Sequence, residues 1–204
     1  MTQTTQDSNL IEVEAWIAGL QRTERAGYYV GEAHGRYAGK HPTLYLDTTI
    51  PSYLTARPSR DINTDRMHAI TRRWWSEDRP RHISYVSDLV IDEARKGNSD
   101  AAQRRVEVVR AFASLHRSAR SYELTDKILV QCRLPARVHS DVHHVAIAAL
   151  HGINILLTWN CAHLANRHMI PHIRRACEAY GCAAPDIYTP EQLIGVCAYG
   201  RSDS

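Results

Sequence analysis

Apolar positions recur at helical spacing from 8 to 21, where Leu10, Val13, Ile17 and Leu20 line up beside Trp16 and Ser8 is placed as N-cap. One amphipathic helix is predicted there. Gly27, Gly31, Gly35 and Gly39 follow at four-residue intervals in a charged, tyrosine-rich stretch, which predicts a flexible arm rather than a membrane helix. From Lys40 the period changes. Residues 43–46 form a β-prone run, 64–75 return to helical spacing through Met67, Ile70 and Trp74, and 82–86 form a second strand pattern. Ser87 is placed to cap a short helix through Leu89, Val90 and Ala94 that stops at Gly97.

Ser99 opens a longer helical pattern with Ala102, Val106, Val109 and Phe112 on one face. Residues 122–124 read as a weak third strand ahead of a helix opened by Thr125 and ended by Pro135. Ser140 then caps a helix that turns Val142, Val145, Ala146 and Ala149 inward and closes at Gly152. Residues 153–158 are the clearest buried strand. Helical spacing resumes over 162–168 and again from Pro171 to Gly181, before a last strand at 186–188. Thr189, Pro190 and Gln192 match N-cap, N1 and N3 of a capping box. Strands alternating with helices, without hairpin signals, predict an α/β fold with a parallel sheet covered on both faces.

Composition narrows the class. The 204 residues suit one domain over 41–197, preceded by an extension over 1–40 and followed by a tail over 198–204. With 44% hydrophobic and 23% charged residues the chain folds. No apolar run is long enough for a membrane span, and the first residues do not resemble a leader, so the expected location is cytoplasmic. Cys132, Cys161, Cys177, Cys182 and Cys197 lack CxxC spacing and are expected as reduced, mostly buried thiols. The 12 histidines show no paired spacing for structural zinc. A net charge of +3 permits a polyanionic partner, and apart from Lys40, Lys96 and Lys127 every basic residue is arginine, whose fork suits phosphate.

In an open parallel sheet the working crevice lies outside the carboxyl ends of the strands. Asp47 directly follows the first strand, with Thr48 and Thr49 behind it. Asp92 and Glu93 lie in the helix after the second strand, about 100° apart, so one of them faces such a crevice. Asp141 falls in the first turn of a helix, where a carboxylate also gains from the dipole, and His144 follows at i+3, placed either to contact the same site or, the favoured reading, to fill the core. Asn160 comes just past the 153–158 strand, with Thr158 and His163 beside it, and is expected level with Asp47. Oxygen ligands after several strands of one sheet form a set suited to Mg²⁺ or Mn²⁺.

These residues also carry a resemblance. The run from Tyr45 through Asp47, Thr48 and Thr49 to Leu54 resembles the opening motif of PIN domains, the fold of VapC-like toxin ribonucleases. Val86 to Gly97 is similar to the family's second acidic motif and selects Glu93 over Asp92; Asp141 to Ala148 resembles the third, and Leu156 to Asn166 the fourth. The resemblance implies a PIN-like three-layer α/β/α fold and a Mg²⁺- or Mn²⁺-dependent endoribonuclease, often the toxin of a type II toxin-antitoxin pair. It makes Asp47, Glu93 and Asp141 the metal ligands, with Asn160 as a fourth site residue, and RNA and a cognate antitoxin the partners. A homodimer is left open. Asn160 stands where many PIN domains carry Asp, which lowers the site's negative charge. The alternative is a catalytically impaired PIN-like module that binds protein or RNA. A haloacid-dehalogenase-like phosphatase would need an Asp where Thr49 stands.

Overall fold

The computed structural model describes residues 41–194, so the helix and glycine arm expected within 1–40, the tail and Cys197 lie outside the described residues. The elements run β1 (Thr43–Leu46), α1 (Thr49–Leu54), α2 (Ile62–Glu77), β2 (Ile83–Ser87), α3 (Asp88–Ala94), α4 (Ser99–Val109), β3 (Ala113–Leu115), α5 (Ala119–Cys132), α6 (His139–Leu150), β4 (Ile155–Leu157), α7 (Ile170–Tyr180), β5 (Asp186–Tyr188) and α8 (Pro190–Leu193). The five strands pair in parallel in the order β3-β2-β1-β4-β5. Helices α1 to α4 and α8 pack among themselves, and α5, α6 and α7 form a second set. Right-handed crossovers put the two sets on opposite faces. The result is the three-layer α/β/α arrangement expected from the sequence.

Burial explains why the central strands read as continuous apolar runs. Leu44, Tyr45 and Leu46 of β1 and Ile155, Leu156 and Leu157 of β4 are all buried, because helices cover both faces and no solvent side exists to impose alternation. Helix α6 is buried from Val142 to Ala149 and packs against α5. Connections leave β1 toward β2 and leave β4 toward β5, so the chain reverses its direction of travel between β1 and β4. This switch point opens a crevice at the carboxyl ends of those two strands.

Several elements differ from expectation. Residues 122–124 belong to α5 and not to a strand; the helix is opened by a Ser118–Ser121 capping box, not by Thr125. Ser121, Leu124, Thr125 and Ile128 are buried at helical spacing, which outweighs the β preference of Tyr122. The third strand is the short edge run Ala113–Leu115. Residues 162–168 form turns rather than a helix, since the Asn160 and Asn166 side chains bond the backbone N–H groups of His163 and His168 and compete with helical pairing. Of the thiols, which are free, Cys177 is buried but Cys161 is exposed. Among the described residues no helix is long and apolar enough to cross a membrane.

Candidate active site

The first carboxylate is held by the sheet itself. Its backbone N–H continues the β1–β4 ladder onto Leu157 O at 3.2 Å, leaving Asp47 buried at the switch point. One oxygen accepts the Thr49 N–H, and Oδ2 accepts the Thr158 hydroxyl at 2.5 Å. The register Leu46↔Leu157 makes Thr158, not Asn160, the residue level with Asp47. Thr158 Oγ1 also receives the Asn160 N–H at 2.9 Å. Asn160 Oδ1 accepts from His163 N at 3.1 Å, so its side chain closes the following turn. Thr49 Oγ1 accepts from Trp159 N at 2.9 Å and joins the end of β4 to α1.

Glu93 reaches the same crevice from α3. Its Oε2 accepts from Thr48 Oγ1 at 2.5 Å and pairs with His144 Nε2 at 3.1 Å, while Oε1 accepts from the Ser140 hydroxyl. Ser140 therefore serves Glu93 and does not cap α6, whose N-cap is Val138 with no side-chain bond. Thr48 likewise sits at the N-cap of α1 without capping it. Asp92, the competing residue, points elsewhere and pairs with Arg117 at 2.6 Å and Arg95 at 3.3 Å. Burial opposes the charge on Glu93, but the His144 hydrogen bond and charge, with the Ser140 and Thr48 hydroxyls, hold its carboxyl down at about 2.

Behind Glu93 runs a buried polar chain. His144 Nδ1 meets Tyr45 Oη at 2.8 Å, and Tyr45 Oη meets Ser87 Oγ at 2.6 Å. Ser87 also caps α3, accepting from Val90 N at 3.2 Å. Burial raises the Tyr45 phenol well above its ordinary range, only partly offset by Ser87, so it stays neutral. For His144 burial opposes protonation, but the Glu93 hydrogen bond and the fields of Asp47, Glu93 and Asp141 prevail and raise its pKa. His144 is thus both a core residue and a site contact, where the sequence offered the two roles as alternatives and favoured the core.

Asp141 lies in the first turn of α6, half-buried, and makes no side-chain hydrogen bond or ion pair among the described residues. Of Asp47, Glu93 and Asp141, Glu93 bonds His144, and the charges of the other two also favour the protonated ring. As they stand, no three His, Cys, Asp or Glu side chains among the described residues form a group set to hold a metal ion. The donor chemistry nonetheless suits a hard cation. A carboxylate offers about four lone-pair sites. Protein donors occupy one site on each Asp47 oxygen, but fill Oε2 of Glu93 and part of Oε1, whereas Asp141 keeps all of its own. Asp47 and Asp141 therefore have most capacity for a cation, and Glu93 least.

Two site residues escaped the sequence reading. Tyr45 looked like an ordinary strand residue, although a hydroxyl in the middle of a fully buried strand must find a partner. Ser140 looked like a cap, although it stands four residues before His144 and so shares its helix face.

Compared with known proteins, the chain matches no family model and no curated protein. Among solved structures it is similar to VapC20 of Mycobacterium tuberculosis, described as a Sarcin-Ricin loop cleaving toxin, with a TM-score of 0.47 and 16% identity over 70% of this chain and 100% of that chain. A likeness this distant assigns no role to any residue, and the site stands on its own geometry.

Proposed function

We propose that the chain is a Mg²⁺- or Mn²⁺-dependent endoribonuclease, acting as the toxin of a type II toxin-antitoxin pair, with Asp47 and Asp141 holding the cation. The observation that carries this reading is the pair of carboxylates at the switch point of a parallel sheet: Asp47 is held at the end of β1 by Thr158, and Glu93 is bonded to Thr48, the next residue, and to His144, one turn along α6 from Asp141. Clustered like charges are costly unless a cation or hydrogen bonds offset them. Glu93 is offset by His144 and two hydroxyls; Asp141 is not. When bound, a divalent ion lowers the pKa of water and offsets charge on the phosphate oxygens.

The chain's own residues do the rest. Thr158 and the Thr49 N–H fix the Asp47 carboxylate and leave a lone pair on each of its oxygens. Glu93, held at about 2, is too weak a base to take a proton from water near neutrality. Its role is to position Thr48, Ser140 and His144 and to keep the crevice negative. Asn160 supports the wall through the Thr158 hydroxyl and is not a cation ligand in this reading.

A second reading, a module that binds without cutting, is favoured by one observation: the Asn160 side-chain oxygen is partly engaged in closing a turn and carries no charge, which leaves the crevice less negative than a fourth carboxylate would. The deciding experiment is RNA cleavage by the full chain with Mg²⁺ or Mn²⁺, comparing the parent with Asp47→Asn and Asp141→Asn. The nuclease reading expects cleavage that EDTA abolishes and both variants lose. Equal cleavage by parent and variants would mark a contaminating nuclease, and an inert parent would favour the binding module.

A further inference from the structure

Beside the carboxylates, α1 and α4 border a cleft of about 350 Å³, lined among others by Ser52, Thr55, Arg57, Arg104 and Arg105, with Asp100 at its edge. Resting on the ribonuclease reading above, we propose that this cleft is a phosphate subsite that holds a neighbouring phosphodiester of the RNA strand being cut.

Three arginines and one aspartate line it, so the lining is net positive. Arg104 donates from Nε to Thr55 O at 3.2 Å, which fixes its fork and leaves both terminal nitrogens free to meet an anion. Arg105 is tied down by Ala94 O at 3.1 Å and by Lys96 O. Arg57 is exposed and makes no hydrogen bond or ion pair among the described residues. The hydroxyls of Ser52 and Thr55 donate to Thr48 O at 2.7 Å and Pro51 O at 2.8 Å, so the arginines carry the recognition.

Both walls are tied to the segments that carry the carboxylates. Ser52 bonds the carbonyl of Thr48, whose hydroxyl meets Glu93; Arg105 bonds the carbonyl of Ala94, the residue after Glu93. A polyanion entering a crevice with three carboxylates needs compensating charge close by, and this cleft supplies it. Guanidinium forks match phosphate and carboxylate alike, so what favours phosphate over an acidic peptide is the proposed phosphodiester-cutting site that the cleft adjoins.

The test is fluorescence anisotropy of the full chain with a short fluorescein-labelled single-stranded RNA in EDTA, where nothing is cut, repeated over a salt series. Arg57→Ala and Arg104→Ala should each weaken binding by about tenfold and lower the salt slope by about 0.7. Arg104→Lys, which keeps the charge but not the fork, should lose less. Asp100→Asn should tighten binding about twofold, a gain that damage to the fold does not imitate. If the parent cuts RNA while the arginine variants keep affinity and slope, the subsite is refuted and the ribonuclease reading survives. Arginine-dependent RNA binding by a parent that cuts nothing would uphold the subsite and sink the catalytic reading. A parent that neither binds nor cuts RNA overturns both, and Arg57-dependent binding of polyglutamate without RNA binding would reassign the cleft to an acidic peptide.

Discussion

His143 and His144 are chain neighbours, both almost wholly buried in the same helix, yet they meet opposite environments. His143 turns toward α5, where its Nε2 meets Ser121 Oγ at 2.8 Å and its ring lies against Tyr122. Burial, with the nearby His139, His144 and Arg117 charges, pushes its pKa down to about 4. His144 turns toward the sheet, where Glu93, Asp47 and Asp141 raise its pKa against the cost of burial. One step of about 100° around a helix axis separates a histidine whose neutral form is favoured from one whose protonated form an acidic crevice favours. The ring chemistry is the same in both cases. What differs is which layer of the fold the side chain enters.

The largest expected effect separates the two faces by activity. Asp141→Asn on the crevice side should lower RNA cleavage by on the order of a hundredfold or more with little change in unfolding free energy, because this half-buried carboxylate makes no side-chain hydrogen bond or ion pair among the described residues. His143→Gln should leave cleavage within about twofold. Equal losses in both variants would mean that the helix, and not its crevice face, supports the activity.

His144→Gln comes next. It strands a half-buried Glu93 charge and should cost about 3 kcal/mol in denaturant unfolding at pH 6. The pH dependence fixes the sign. A raised histidine pKa contributes stability that is complete below about 6.5 and is lost as pH rises through the folded value. A depressed Glu93 contributes stability present above about 4.5 and lost as pH falls toward 2. In chelator, the parent should therefore show a contribution from this pair that is complete between about pH 4.5 and 6.5 and fades on both sides; the variant should lack it.

Tyr45→Phe should cost about 2 kcal/mol, since it leaves both His144 Nδ1 and Ser87 short of a buried partner. Calorimetry that finds no loss would show that the polar chain behind Glu93 contributes nothing to the fold.

The smallest effect is on the core side. His143→Gln should cost about 1 kcal/mol near neutrality through lost packing and one hydrogen bond. With its folded value at about 4, His143 gives stability that is lost as pH falls below about 6.5, because the unfolded chain takes the proton and the native ring does not. The variant should therefore lose part of the slope between about pH 6.5 and 4, the window in which the His144–Glu93 contribution is largely flat.

Periodicity and caps made much of the fold legible from residues alone. The bounds of β1, β5 and the Thr189–Gln192 capping box agree with expectation, as does the left-handed Gly181 that ends α7 at φ 86°. These features are local, set by a few neighbouring residues. Short or ambiguous segments were less legible: the three-residue edge strand β3 has no pattern of its own, and residues 162–168 have helical spacing but asparagine side chains that favour turns.

The carboxylates Asp47, Glu93 and Asp141 could be named from their places after strands and in motifs, since those places follow from chain order. The sequence could not decide that Thr48 and Ser140 would leave their cap positions to bond Glu93, that Thr158 rather than Asn160 would stand beside Asp47, or that Tyr45 and His144 would join into one buried chain. Local spacing determines which face of an element a side chain shares. Partners drawn from segments as far apart as residues 45 and 144 are chosen only by strand register and layer packing, which exist once the whole chain has folded.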